Sequence, residues 1–241
     1  MLAAAQPEWN MTIYTAEQAG HFGRRRYLME HAMMKIRAKN THLPLKAVPG
    51  HFATNHAHIN YYIDMTTVKA RQSEAEEMAK TLAGQYVNNT VVDTIVCLDG
   101  TQVIGAYLAE ELSRAGFISM NEHKTIYIIT PEFNSNSQMI FKENVRPMVA
   151  RKHVILLLAN VTTGLTLNKA LECIGYYEGI LEGVAAVFSA QTEVDGVHIN
   201  SVYSTEDLPD YRFYDYRNCP FCERKMKIDA LVNSFGYFRQ E

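Results

Sequence analysis

The stretch that most constrains the fold is His153-Val154-Ile155-Leu156-Leu157-Leu158. Its apolar residues run on without alternation, as they do in a strand covered on both faces at the centre of a parallel sheet. The chain then reads Ala159-Asn160-Val161-Thr162-Thr163-Gly164-Leu165-Thr166 and opens a helix over 163–174, closed by Gly175, with Leu167, Leu171 and Ile174 on one side. A glycine and three hydroxyl side chains at a strand-to-helix junction suit an anion, because the first helical N–H groups lack intrahelical partners there. A threonine-capped helix without any ligand is the plainer reading of the same letters.

The surrounding chain keeps the rhythm of a doubly wound α/β fold with a mainly parallel sheet. Strands are expected at 91–98, 125–130, 181–190 and 197–204, with helices from a Ser73/Glu76 capping box and over 101–115, the latter stopped by Gly116. Before them, Thr15 to about Lys39 reads as a helix carrying Tyr27 and Met34, and 51–68 reads as a hairpin around a polar tip. The expected organisation is a domain over 1–208, which includes this helix-and-hairpin hood (12–68), and an aromatic C-terminal appendage over 209–241 ending in a short helix.

Charge narrows the partners. With 23 basic and 26 acidic residues the chain has no polyanion-binding footprint, and Arg24-Arg25-Arg26 reads as a solvated helix face, so no nucleic acid is expected. No apolar run reaches bilayer length and the opening residues make a poor signal peptide, so neither membrane nor export is expected. With four cysteines the expectation is reduced thiols in a cytoplasmic protein. Cys97 and Cys173 lie on apolar faces and read as core residues. Cys219-Pro220-Phe221-Cys222 has the spacing of a zinc knuckle, a redox pair or a plain reduced turn. A zinc ion needs further ligands: histidines, the two isolated cysteines, or a second copy of the knuckle.

The stretch 154–166 resembles the phosphoribosyl pyrophosphate motif of the type I phosphoribosyltransferases: an apolar run, an acidic pair, a short apolar step, then Thr-Thr-Gly-x-Thr. On that resemblance Thr162, Thr163, Gly164, Leu165 and Thr166 hold the 5-phosphate of a ribose. The acidic pair, which in the family contacts the ribose hydroxyls near a magnesium ion, falls on Leu158 and Ala159. The segment 50–64 is similar to the N-terminal hairpin of the orotate enzymes, through Gly50, Phe52, Tyr61, Tyr62 and Asp64. It implies that Phe52, His56, His58 and Tyr61 frame the base, although exposed polar residues at a hairpin tip are also the default. The segment 95–112 resembles the family's pyrophosphate loop, with Asp99, Gly100 and Thr101 at its tip and Asp99 the one candidate for a catalytic group. The family's mobile basic loop corresponds to 131–152, whose tip from Glu132 to Ser137 contains no cation; Lys142 and Arg146 come later.

The resemblance thus implies a phosphorylated ribose or pyrimidine nucleotide as ligand, a homodimer, and a transferase whose chemistry is impaired or altered. A non-catalytic nucleotide sensor on the same fold is the alternative.

Overall fold

The computed structural model describes residues 33–114, 120–122, 125–135 and 138–239. The expected helix before Met33, the Arg24–Arg26 run, Gly116 and the loop-tip residues Asn136 and Ser137 lie outside them. In chain order the strands and helices are β1 (Met34–Ile36), β2 (Leu45–Ala53), β3 (His58–Asp64), α1 (Thr66–Ala70), α2 (Gln72–Ala83), β4 (Thr94–Cys97) and α3 (Gln102–Ser113). They continue as β5 (Tyr127–Ile129), β6 (Glu132–Phe133), β7 (Met139–Ile140), β8 (His153–Val161), α4 (Leu165–Tyr176), β9 (Ile180–Ser189), β10 (Glu193–Val194) and β11 (Val197–Ser204). Last come β12 (Phe213–Tyr214), α5 (Pro220–Glu223), β13 (Ala230–Asn233) and β14 (Gly236–Phe238).

The central sheet has the order β10-β11-β9-β8-β4-β5. All its pairings are parallel except that of β10 with β11. Val154 to Leu158 are each 0% exposed, which explains the unbroken apolar run. Leu156 and Leu158 face a core shared with Leu167, Ala170 and Ile174 of α4. On the other face α3 lies so close that a Cβ on Gly105 would stand 2.4 Å from Cys97 Sγ. Counting the parallel strands along the chain, β4, β5, β8, β9 and β11 are arranged 2-1-3-4-5, the flavodoxin-like doubly wound order. In that order the chain reverses direction between β4 and β8, and a crevice opens beyond their carboxyl ends.

A second sheet, the hood, has the order β12-β3-β2-β13-β14, with β1 also paired to β2. Here the structure departs from the sequence expectations in three places. Met34–Ile36 is not the end of a helix but a strand antiparallel to Leu45–Ala47, where an available sheet edge overrides helical spacing. Ser73 lies inside α2 and caps nothing, since the chain turns at Arg71 and Glu76 accepts hydrogen bonds from Lys80 and Gln72 instead. The tail ends in a hairpin rather than a helix. Ala230 and Val232 are buried while Leu231 and Asn233 are exposed, a period of two, and Asn233 Oδ1 accepts from Phe235 N at 2.8 Å to close the turn. β13 runs parallel to β2 through Ala230 and Leu231, and β12 runs antiparallel to β3, so the segment after Pro209 completes the hood.

No helix among the described residues is long and apolar enough to cross a membrane.

Candidate functional site

A cleft of about 200 Å³ lies at the switch point between β4 and β8. Its floor is the carboxyl end of β8, from Leu158 to Val161, and the loop that follows. Its roof is the hood: the tip of the β2–β3 hairpin with Thr54, Asn55 and His56, the side chains of Ile59 and Tyr62, and the β13–β14 turn.

Thr162, Thr163, Gly164 and Thr166 all line this cleft, and Leu165 points to solvent at 46% exposure. The N-cap of α4 is Gly164, at φ +81°, with no side-chain cap. Thr163 Oγ1 is 3.5 Å from Leu165 N, at the edge of hydrogen bonding, so the threonines do not close the helix in the usual manner. The α4 ladder starts with Asn168 N donating to Gly164 O at 2.9 Å, and the amides before it face the cleft end of the helix without intrahelical acceptors. The loop itself is braced from behind. Gln191 Nε2 donates to Thr162 O at 2.9 Å, and the Tyr211 hydroxyl lies 3.2 Å from Thr162 Oγ1. Burial pushes the Tyr211 phenol up to about 12, so it stays protonated at neutral pH. Gly164 is held against Val194, whose methyl carbons would stand 2.9 and 3.0 Å from a Cβ placed there.

On the opposite wall, Asp99 and Gly100 both have positive φ in a turn closed by Thr101 N donating to Leu98 O at 3.1 Å. Of the expected pyrophosphate loop, Asp99 lines the cleft, while Thr101 is fully buried and its hydroxyl donates to Leu98 O and Leu157 O. Burial raises the Asp99 carboxyl above the usual carboxylate range. The Ser234 hydroxyl, the nearby Lys69 ammonium and the backbone N–H groups of Ala159 and Asn160 oppose that rise. Lys69, on α1, donates to Asp99 O at 2.8 Å and to Ser234 O, and its ammonium sits 5.5 Å from the centre of the Phe235 ring. Among the described residues Lys69 is the only lysine or arginine on the cleft lining, and sequence reasoning missed it. Its one signal in the sequence is its place five residues beyond Asp64, where the hairpin hands over to the first helix.

An acid whose folded pKa is raised contributes stability that is full below its unfolded value and is lost as pH rises through the folded value. Asp99→Asn is therefore expected to remove a fall in stability as pH climbs above 3.8. Thermal unfolding of both proteins across an acid-to-neutral series reads this as a flatter Tm profile in the variant; parallel profiles would mean that Asp99 stays ionised at no cost.

The hairpin residues divide differently from the resemblance. His56 and Tyr62 reach the cleft. Phe52 is 0% exposed in the hood core, its ring 6.0 Å from Tyr62, so it does not frame the cleft. Tyr61 is not on the cleft lining, and its phenol is raised by burial and by the Asp210 carboxylate. His58 leaves the cleft with His51 and approaches Cys219 and Cys222. Within 131–152, β6 pairs with β7, and Lys142 just beyond β7 pairs with Glu132 at 2.8 Å; neither Lys142 nor Glu132 lines the cleft.

The fold resembles that of the phosphoribosyltransferases. One similar structure is Mycobacterium tuberculosis H37Rv orotate phosphoribosyltransferase in complex with inorganic phosphate, 17% identical over 62% of this chain and 81% of that one, with a TM-score of 0.44. Another is Leishmania donovani UMP synthase, 14% identical over 79% of this chain but only 38% of that one, at 0.47. Adenine phosphoribosyltransferase from Thermoanaerobacter pseudethanolicus is 14% identical over 73% of this chain and 97% of that one, also at 0.47. No family model and no curated protein matches the chain. At such identities the likeness concerns the fold, and the chemistry has to be read from the residues.

Those residues do not fit the magnesium expected from the motif. Leu158 and Ala159 are 0% and 1% exposed and carry no oxygen ligand on their side chains. Among the described residues the one carboxylate on the cleft lining is Asp99, and it accepts from the backbone N–H groups of Ala159 and Asn160.

Proposed function

We propose that this protein binds a 5-phosphoribosyl ligand, either phosphoribosyl pyrophosphate or a pyrimidine nucleotide, and that transfer of the phosphoribosyl group is impaired. The observation that carries this reading is the Thr162–Thr166 loop. It lies at the switch point of a doubly wound sheet and lines the cleft. It opens onto a helix whose N-terminus no side chain caps. Backbone N–H groups and the positive helix end favour a phosphate there, and threonine hydroxyls add donors. In this reading the base lies toward the hood, whose His56 and Tyr62 line the same cleft.

Impairment follows from charge. Loss of pyrophosphate from a ribose carbon builds positive charge on the sugar and negative charge on the leaving group, and preorganised opposite charges lower that barrier. The strand end offers Leu158 and Ala159 to the sugar, and Lys69 is already shared between Asp99 O and Ser234 O. These features favour a nucleotide-sensing role over turnover. By its resemblance to the family, this reading also takes the protein to be a cytoplasmic homodimer.

Calorimetry with ribose 5-phosphate, phosphoribosyl pyrophosphate and uridine monophosphate, with ribose as the phosphate-free control, tests binding. A transfer assay with magnesium and a panel of bases tests turnover. Heat from the phosphorylated compounds without turnover is the expected result. Efficient transfer to any base would reinstate an ordinary enzyme, and no heat from any phosphorylated ribose would remove both readings.

A further inference from the structure

Four side chains far apart in sequence meet in the hood: His51 of β2, His58 of β3, Cys219 and Cys222 of the segment around α5. We propose that they form a closed structural zinc site, which fastens the C-terminal segment to the hairpin and so holds the cleft roof in place. The site is separate from the proposed phosphate loop and stands whether or not that loop binds a ligand.

Geometry supports all four ligands. The donor atoms all lie within 4.8 Å of one another. His51 Nε2 is 3.0 Å from His58 Nδ1, 3.5 Å from Cys219 Sγ and 3.7 Å from Cys222 Sγ, and Cys222 Sγ is 3.3 Å from His58 Nδ1. A tetrahedral zinc with bonds of about 2.3 Å to sulfur and about 2.0–2.1 Å to nitrogen sets its ligand atoms roughly 3.3–3.8 Å apart. The observed spacings are those of a site a small ion completes by modest adjustment. The two cysteines form no disulfide.

The surroundings also select metal. His51 Nδ1 lies 3.1 Å from the Met226 carbonyl, which requires the proton on Nδ1 and leaves the Nε2 lone pair for an ion. The His51 backbone is fixed on both sides by Asp229, since His51 N donates to Asp229 Oδ2 at 2.8 Å and Asp229 N donates to His51 O at 2.7 Å. Phe221, one of the two residues between the cysteines, stacks on the His51 ring at 5.1 Å and shields one side. Two thiolates and two imidazoles suit zinc over the harder magnesium or calcium. With four protein ligands no position is left for water or substrate, so the role is structural. What it supports is β13, which follows the knuckle, pairs with β2 and carries Ser234 and Phe235 to the cleft.

Elemental analysis of the full chain, purified under reducing conditions, tests the proposal. About one zinc per chain is expected. Cys219→Ser and His51→Ala should each lose most of it, whereas His198→Ala, at an exposed histidine outside the cluster, should keep it. Should the variants fail to fold, cobalt substitution of the intact chain still decides the matter: tetrahedral visible bands together with a thiolate charge-transfer band support the site. Chelation should lower the Tm and restored zinc should raise it again. A reduced chain that neither contains nor takes up zinc or cobalt overturns the proposal, as does zinc retained in full by both variants.

Discussion

Gly164→Val is expected to abolish binding of ribose 5-phosphate while leaving a folded, less stable protein. Two independent effects act at this residue. At φ +81° a β-branched side chain is a genuine outlier, with a cost of about 1–3 kcal/mol. Its Cβ would also stand 2.9 Å from Val194 Cγ2, so either Val194 or the loop must move. The loop is the softer of the two, because Val194 is held by the pairing of β10 with β11. A displaced loop takes the amides at the start of α4 and the Thr162 and Thr163 hydroxyls away from a common phosphate position. A loss of affinity beyond about tenfold, or about 1.4 kcal/mol, is the expected calorimetric result. Gly196→Ala provides the control: it has φ +79° but nothing within 4 Å of an added Cβ, so it bears backbone strain without the collision and away from the cleft. Its stability should fall while binding stays as it was. Equal loss of binding in both variants would trace the effect to global stability and not to the loop.

The second large effect is expected at Phe188. This side chain is 0% exposed, lies beside Asn160 in the register of β8 with β9, and meets the Tyr211 ring edge-on at 5.1 Å. Tyr211 in turn braces Thr162. Phe188→Ala removes the ring on which this chain of contacts rests and leaves a cavity that a sheet interior cannot close. A cost of about 3–5 kcal/mol is expected for such a truncation. For a domain of this size each kcal/mol lowers the Tm by about 2–4 °C, so thermal unfolding should show a fall of roughly 6–20 °C. Tyr211→Phe separates packing from hydrogen bonding, since it keeps the ring and loses only the contact to Thr162, worth about 0.5–1.5 kcal/mol. If both variants lose similar stability, the Phe188 ring is not the support described here.

The layered fold was readable because its signals are local. An apolar run at 153–158, repeated strand and helix spacings, and glycine turns each depend on a few neighbouring residues, and β4, α3, β8, α4, β9 and β11 all stand where these signals put them, with ends moved by a few residues. The expectations that failed were those in which a distant partner decides. Met34–Ile36 became a strand because Leu45–Ala47 offered an edge, and the tail became β13 and β14 because β2 offered another. No local periodicity reports the presence of an unpaired edge elsewhere in the chain.

The same division runs through the candidate site. The letters Thr162 to Thr166 marked a loop between strand and helix, and Leu158-Ala159 marked side chains without oxygen at the strand end, because both lie in one continuous segment whose backbone path is set by the strand before it and the helix after it. Only the tertiary structure brought Lys69 and Ser234 against Asp99, turned Phe52 into the hood core, and carried His51 and His58 to a cysteine pair that follows them by more than a hundred and fifty residues. A spacing such as that between Cys219 and Cys222 can fix two ligands, since the intervening turn sets their separation. The other two depend on the register of β2 and β3 and on the path of the returning tail. Those are settled by which apolar faces are buried together, and so by the whole chain at once.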